Sequence, residues 1–244
     1  MAKADSLGTR IKENYESRYD IRLPRRSYIY GRLDGQAFHT FTQGLRKPFD
    51  YELIDDLIKA TEYLCSYISG CKFGFVQSDE ISILLTDFEE IETDAFFDYK
   101  LQKLCSIAAS HFTVKFNQLR WKRGYTNEKA TFDARFMAIS DPWEVVNTFL
   151  WRQRDIERNS LSMLAQANFP HKMLEGKKKQ DLHDLLHTIG INWNNLPGIC
   201  KRGALIEKKI VPYGDTTRSI WIGDAAPNLR QYLPTILPQY EPLR

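Results

Sequence analysis

Two short acidic stretches, Asp34-Gly35 and Ser78-Asp79-Glu80, carry residue types able to manage a polyphosphate. Carboxylates are hard oxygen ligands. A pair of magnesium ions bridging a triphosphate needs only a few of them, with positions left for phosphate and water. Gly35 adds a backbone that turns sharply and lets a ligand approach closely. Blander roles also suit these residues, a surface turn at Asp34-Gly35 and a polar hairpin at Asp79-Glu80. Neither stretch alone decides. For chemistry, the fold must deliver both to one place.

The surrounding elements are arranged to do so. Residues 27–33 include the aromatic and β-branched Tyr28, Ile29 and Tyr30, are broken by a glycine, and read as a strand ending on Asp34. A second strand, Cys71 to Val76, runs through Gln77-Ser78-Asp79-Glu80 into a third, Ile81 to Leu85. Between the first two, Lys47-Pro48 introduces a helix over 51–69 whose buried stripe is Leu53, Ile54, Leu57, Ile58, Leu64, Cys65 and Ile68. A partner helix is expected over 94–117, with Phe97, Leu101, Leu104, Ala108 and Phe112 inward. Lys100 and Lys103 would then share a face and reach one phosphate group, or simply stand in solvent. A fourth strand over 131–139 alternates Phe132, Ala134, Phe136 and Ala138 with Asp133 and Arg135. The order strand, helix, strand, strand, helix, strand is the α+β, ferredoxin-like arrangement. Its first two strand ends lie close enough for Asp34 and Asp79 to share metals.

The flanks are more polar. A helix is expected over residues 1–26, capped by Asp5 or Ser6 and ending near Pro24, with Leu7, Ile11 and Tyr15 at helical spacing. Phe38 and Phe41 frame His39, which suits a structural hydrogen bond as readily as catalysis. Asp141-Pro142-Trp143-Glu144 has the spacing of a capped helix start. That helix carries Trp151-Arg152-Gln153-Arg154-Asp155 and Arg158-Asn159, more polar than a core helix needs. Lys177, Lys178 and Lys179 suit a solvated loop or a grip on a phosphodiester backbone. A short helix to about His187 and two strand-like runs after Gly203 follow. The tail with Pro227, Pro234, Pro238 and Pro242 reads as an extended wrap.

A chain of 244 residues buries a sizeable core, and its net charge of +3 leaves room for a local basic face without requiring a nucleic-acid partner. Cys65, Cys71, Cys105 and Cys200 lack the paired spacing of a zinc site and fit the core of a protein in a reducing compartment. No apolar run approaches the roughly 20 residues of a membrane span, and the first residues lack a signal peptide's apolar region. A cytoplasmic protein without membrane contact is expected.

The segments 32–39 (Arg-Leu-Asp-Gly-Gln-Ala-Phe-His), Gln77-Ser78-Asp79-Glu80-Ile81-Ser82, Phe132-Asp133-Ala134-Arg135 and Trp151-Arg152-Gln153-x-Asp155, in this order, resemble the tRNA-His guanylyltransferase family. Residues 191–197 (Ile-Asn-Trp-Asn-Asn-Leu-Pro) and Lys201-Arg202-Gly203 resemble it too, so the likeness spans nearly the whole chain. The resemblance implies a polymerase/cyclase-type palm (βαββαβ) over residues 1–140. It implies a mainly helical C-terminal region over 141–244 for RNA binding and oligomerisation. It further implies 3′-to-5′ addition of nucleotides to the 5′ end of tRNA, ATP and GTP as substrates, two Mg2+ ions and a homotetramer.

Carried over residue by residue, Asp34, Asp79 and the carbonyl of Gly35 match the metal site, and Glu80 the neighbouring catalytic acid. Gly35, Gln36, Ala37, Phe38, His39 and Ser78 match residues around the nucleotide. Lys47, Lys100 and Lys103 match basic positions that hold triphosphate, one of them arginine in typical relatives. Arg135, Arg152, Arg154, Arg158, Asn159 and Lys177 to Lys179 are the expected RNA contacts. One departure matters: tRNA-His-specific members carry His-Ile-Asn-Asn where this chain has Glu157-Arg158-Asn159-Ser160. That favours the guanylyltransferase-like branch, which rebuilds truncated tRNA 5′ ends on a template. The alternatives are a tRNA-His-specific enzyme, a nucleotide cyclase and a non-catalytic tRNA-binding protein. The motifs beyond residue 140 weigh against a cyclase, and the paired aspartates against a mere RNA-binding module.

Overall fold

The computed structural model describes residues 6–90, 92–126, 129–214 and 216–239. The chain begins with α1 (Leu7–Ile11), capped by the Ser6 side chain accepting from the Thr9 N–H. It continues as a π turn over Lys12–Glu16 and a 3-10 turn over Ser17–Tyr19. The single helix expected here is therefore three short pieces. None of them buries a residue, so no packed face holds one hydrogen-bond register. The alternative cap, Asp5, lies outside the described residues.

Next come β1 (Tyr28–Gly35), α2 (Phe38–Phe41), α3 (Tyr51–Tyr67), β2 (Cys71–Gln77), β3 (Glu80–Leu85), α4 (Leu101–Lys122) and β4 (Phe132–Ile139). These strands stand in the order β4-β1-β3-β2, all antiparallel, which is the expected ferredoxin-like palm. The second half supplies α5 (Pro142–Asn168), α6 (His171–Leu174), α7 (Lys179–Thr188) and α8 (Gly198–Arg202), then β5 (Ala204–Tyr213), β6 (Thr216–Ala225) and α9 (Leu229–Ile236). Besides its helices it adds a hairpin to the palm. β5 pairs with β2 through Phe73–Val76, extending the sheet to six strands.

Strand alternation divides the core into two layers. Ile29, Leu33, Ile81, Ile83, Phe132 and Phe136 pack with α3 and α4 on one face, joined by Leu57, Leu64, Leu104, Ala108 and Phe112. Tyr28, Tyr30, Phe73, Phe75 and Leu84 point the other way, beneath Val145, Val146 and Phe149 of α5 and Leu229 and Leu233 of α9. Asp141 fixes the start of α5, accepting from the N–H groups of Trp143 and Glu144 with Pro142 in the first turn.

Two expectations are corrected. α4 begins at Leu101, because Phe97, Asp98 and Tyr99 adopt φ values of 50–52° and cannot continue into it. Lys100 is therefore an extended residue ahead of the helix and shares no helical face with Lys103. Within the described residues the proline-bearing tail is not an extended wrap, since Leu229–Ile236 forms α9 with Pro234 inside it, and Pro242 lies outside the described residues. Burial of Leu229 and Leu233 holds that helix in spite of the proline.

Candidate active site

Strand register places the acids. Asp34 lies opposite Glu80 on β3 and opposite Asp133 on β4, so three carboxylates stand abreast on the face beneath α5. Like charges in register repel, and two of these three are matched. Glu80 is buried and accepts from Arg152 Nη1 at 3.0 Å, with Arg32 Nη1 at 3.6 Å. Asp133 pairs with Arg135 at 3.3 Å. Asp34 has no ion pair among the described residues. It is the acid left for a ligand.

Asp79 arrives from the turn between β2 and β3, which is entered through Ser78 at φ 52°. Its carbonyl accepts from the Gly35 N–H at 3.2 Å, which ties that turn to the end of β1. Burial pushes the Asp79 carboxyl above the usual carboxylate range, and the charges of Asp34 and Glu80 push it the same way. A cation would relieve all three effects. Among the described residues no cluster of three or more His, Cys, Asp or Glu side chains forms a closed metal cage. That suits magnesium, which is held by one or two carboxylates and keeps water and phosphate for its other positions. The oxygen-only set of Asp34, Asp79 and the Gly35 carbonyl fits it.

Gly35 is required locally, since a Cβ there would stand 2.3 Å from the Phe38 ring packed under the turn. Gln36 is anchored to the entry of β4, its N–H donating to Thr131 O at 2.9 Å. Ala37 at φ 51° then starts α2 and carries His39 toward a cavity of about 390 Å³. Phe38, His39, Lys47, Ser78 and Asp79 line it, with Leu53, Leu57, Val76, Ile156 and Ile199 as apolar walls. The cavity is large enough for a nucleotide, and Asp79 and Lys47 are both in its lining.

The model of a family described as tRNAHis guanylyltransferase (Thg1) matches residues 9–140, more than half of the chain. The chain belongs to the tRNA-His guanylyltransferase family. A bacterial tRNA(His) guanylyltransferase (Thg1)-like protein, solved in complex with ATP, is 40% identical to it, with a TM-score of 0.86 over 95% of this chain and 97% of that one. A bacterial Thg1-like protein in complex with GTP is 37% identical, with a TM-score of 0.80 over the same shares. A probable tRNA(His) guanylyltransferase of Dictyostelium discoideum is 27% identical over 75% of this chain and 76% of its own. Membership of the tRNA-His guanylyltransferase family makes the protein a nucleotidyltransferase with a palm-type fold.

Several expected site residues lie elsewhere than the family likeness implied. Glu80 is buried, its Oε2 facing Arg152 at 3.0 Å and Arg32 at 3.6 Å, while its Oε1 has no hydrogen-bond partner. Arg152 is likewise buried and cannot grip an RNA backbone. Lys100 and Lys103 lie at the opposite end of the sheet from Asp34. Lys100 binds Asp20 at 2.8 Å, and Leu101 bonds Ile21, ahead of the start of β1. Lys103 stands over the Phe97 ring. Thr113, at the level of Phe132, is ten residues farther along α4, about 15 Å at the helical rise. Asn159 lines the cavity. Arg135, Arg154, Arg158 and Lys177 to Lys179 are at least partly exposed, although Arg135 and Arg158 pair with Asp133 and Asp155.

Sequence reasoning missed Asp133, whose position beside Asp34 follows only from the β1–β4 register. The outward alternation of Asp133 and Arg135 and their place in the Phe132-Asp133-Ala134-Arg135 motif were its visible signals. It also missed Gly203, which at φ 76° lets β5 begin where a Cβ would meet Val76 O at 2.3 Å.

Proposed function

We propose that the protein is a template-dependent 3′–5′ nucleotidyltransferase that extends the 5′ end of truncated tRNA, using ATP or GTP to activate that end. The observation that carries this is a nucleotide-sized cavity lined by Asp79, Lys47, Ser78 and His39, with Asp79 tied by the Gly35 N–H to the strand end that bears Asp34. The relatives solved with ATP and with GTP support triphosphates as substrates.

In this reading Asp34, Asp79 and the Gly35 carbonyl hold two magnesium ions, which when bound lower the pKa of the attacking hydroxyl and neutralise the leaving group. The apolar walls take the base of the nucleotide. Lys47 and Ser78 meet its phosphates, and residues 35–39 bring their backbone and His39 alongside. Glu80, its Oε2 facing Arg152 and Arg32, stands beside Asp34 on the neighbouring strand. A 5′-monophosphate is first adenylylated with loss of pyrophosphate. The incoming nucleotide's 3′-hydroxyl then attacks that phosphorus and expels AMP, and pyrophosphate is removed from the new end where needed. Residues 1–140 do this work. Residues 141–244 hold RNA through Arg154, Arg158 and Lys177 to Lys179 and help assemble a homotetramer.

A tRNA-His-specific guanylyltransferase is the second reading, favoured by the names of the relatives. The segment Glu157 to Ser160 supports the templated one. Ser160 is fully buried and accepts from Trp193 Nε1 at 3.1 Å, and Asn159 faces the cavity. Neither of these two side chains is placed to read a splayed anticodon base.

The test is incubation with 5′-truncated tRNAs, magnesium and each nucleotide, varying the opposing 3′-strand base through all four identities and sequencing the 5′ ends. Addition is expected to follow the Watson–Crick complement in several tRNAs. Guanosine added whatever the opposing base, and only to tRNA with the histidine anticodon, would establish the second reading instead.

A further inference from the structure

Trp151 is 57% exposed although it lies next to the buried Arg152 in the middle of α5. Its ring is held. The Arg152 guanidinium carbon is 3.3 Å from the ring centre, and the same guanidinium donates to Glu80 at 3.0 Å. A single arginine thus links an exposed indole to the acid directly opposite Asp34.

The direction of the indole follows from helix geometry. Successive residues turn by about 100°, so Trp151 and Gln153 leave Arg152 on opposite sides. Gln153 turns toward the end of β6, donating to Pro227 O at 2.7 Å and accepting from the Leu229 N–H at 3.0 Å. Trp151 therefore turns toward β1 and β4. That part of the sheet is uncovered: the side chains of Asp133 and Arg135 are 60% and 50% exposed, in register with Asp34 and Arg32. The cavity is lined by α2, α3, β2, α8, the start of β5 and the Ile156, Asn159 and Met163 face of α5, and by no residue of β4. Asp79 lines the mostly apolar cavity, and Asp34 adjoins an exposed face that bears Asp133 and Arg135.

We propose that Trp151 is the stacking platform for the 5′-terminal nucleobase of the RNA, setting its 5′-phosphate before Asp34 while the cavity takes the incoming nucleotide. This rests on the function proposed above and names the seat of its second substrate. Stacking on an aromatic face accepts any base, as a templated enzyme requires. Arg154 and Arg158, three and seven residues on, fall on the same side of α5 and carry charge complementary to the adjoining backbone.

The probe is a hairpin RNA with a 5′-monophosphate and 2-aminopurine as its first nucleotide, mixed with the full chain without magnesium or triphosphate. Stacking quenches 2-aminopurine. Wild type and Trp151→Phe are expected to quench it on binding. Trp151→Leu is expected to bind roughly tenfold more weakly and leave it bright, while 2-aminopurine placed mid-stem responds alike in all three. Equal quenching by Trp151→Leu overturns the platform. A fall in assembly mass in Trp151→Leu with the quench intact also overturns it, assigning the ring to a second copy of the chain. Failure of wild type to extend the same RNA when magnesium and triphosphates are supplied overturns the functional reading instead.

Discussion

At Asp79, burial and two neighbouring carboxylates all favour the protonated form. Its folded pKa lies above the ordinary 3.8, so the charged form is penalised in the fold. That penalty is absent below the unfolded value, grows as pH rises through the folded one, and is full above it. Asp79→Asn should therefore stabilise the metal-free protein at neutral pH and lose that advantage below about pH 3.8, as thermal melts at the two pH values will show. Magnesium should raise the melting temperature of wild type and not of Asp79→Asn. Catalysis should move the opposite way. Asp34→Ala or Asp79→Ala is expected to lose at least about a thousandfold in nucleotide addition while tRNA binding stays nearly intact. Retention of more than about a tenth of wild-type turnover would remove the metal assignment.

Among the elements, α5 is fastened to the sheet by charge as well as by its apolar stripe. Arg152→Ala leaves Glu80 buried with only the longer Arg32 contact, and a loss of about 3 kcal/mol is expected in denaturant unfolding. Pairing it with Glu80→Gln should recover part of that loss. Gly203→Ala should also destabilise by about 1–3 kcal/mol, since alanine there adopts a left-handed φ and presses on Val76 O. The strands and α3 were legible because alternation and a helical stripe state them locally. The start of α4 was not, because left-handed turns at Phe97, Asp98 and Tyr99 leave no mark in propensity. Both aspartates were legible as strand-end acids. The burial of Arg152 and the seat of Lys100 were not, since Glu80 and Asp20 are distant in sequence and only the tertiary fold supplies them. Pro234 misled in the other direction, as a breaker outweighed by the core beneath it.

For the whole molecule, RNA binding should weaken steeply with salt. Replacing Lys177, Lys178 and Lys179 together by alanine should lower the slope of log affinity against log salt by up to about three units. An unchanged slope would mean that the cluster is merely solvated. Sedimentation equilibrium should return four times the chain mass if the proposed homotetramer forms. No helix among the described residues is long and apolar enough to cross a membrane. The six-stranded sheet has one further consequence. The outer edge of β2, Phe73 to Val76, finds its partner only when residues 204–207 arrive. Until then a nascent chain emerging from the ribosome carries an apolar strand with an open row of backbone donors and acceptors, a template for association with its neighbours. A chain cut after residue 140 would keep that edge open permanently. It should be recovered as aggregate rather than as a free-standing palm, and only synthesis through the hairpin closes the hazard.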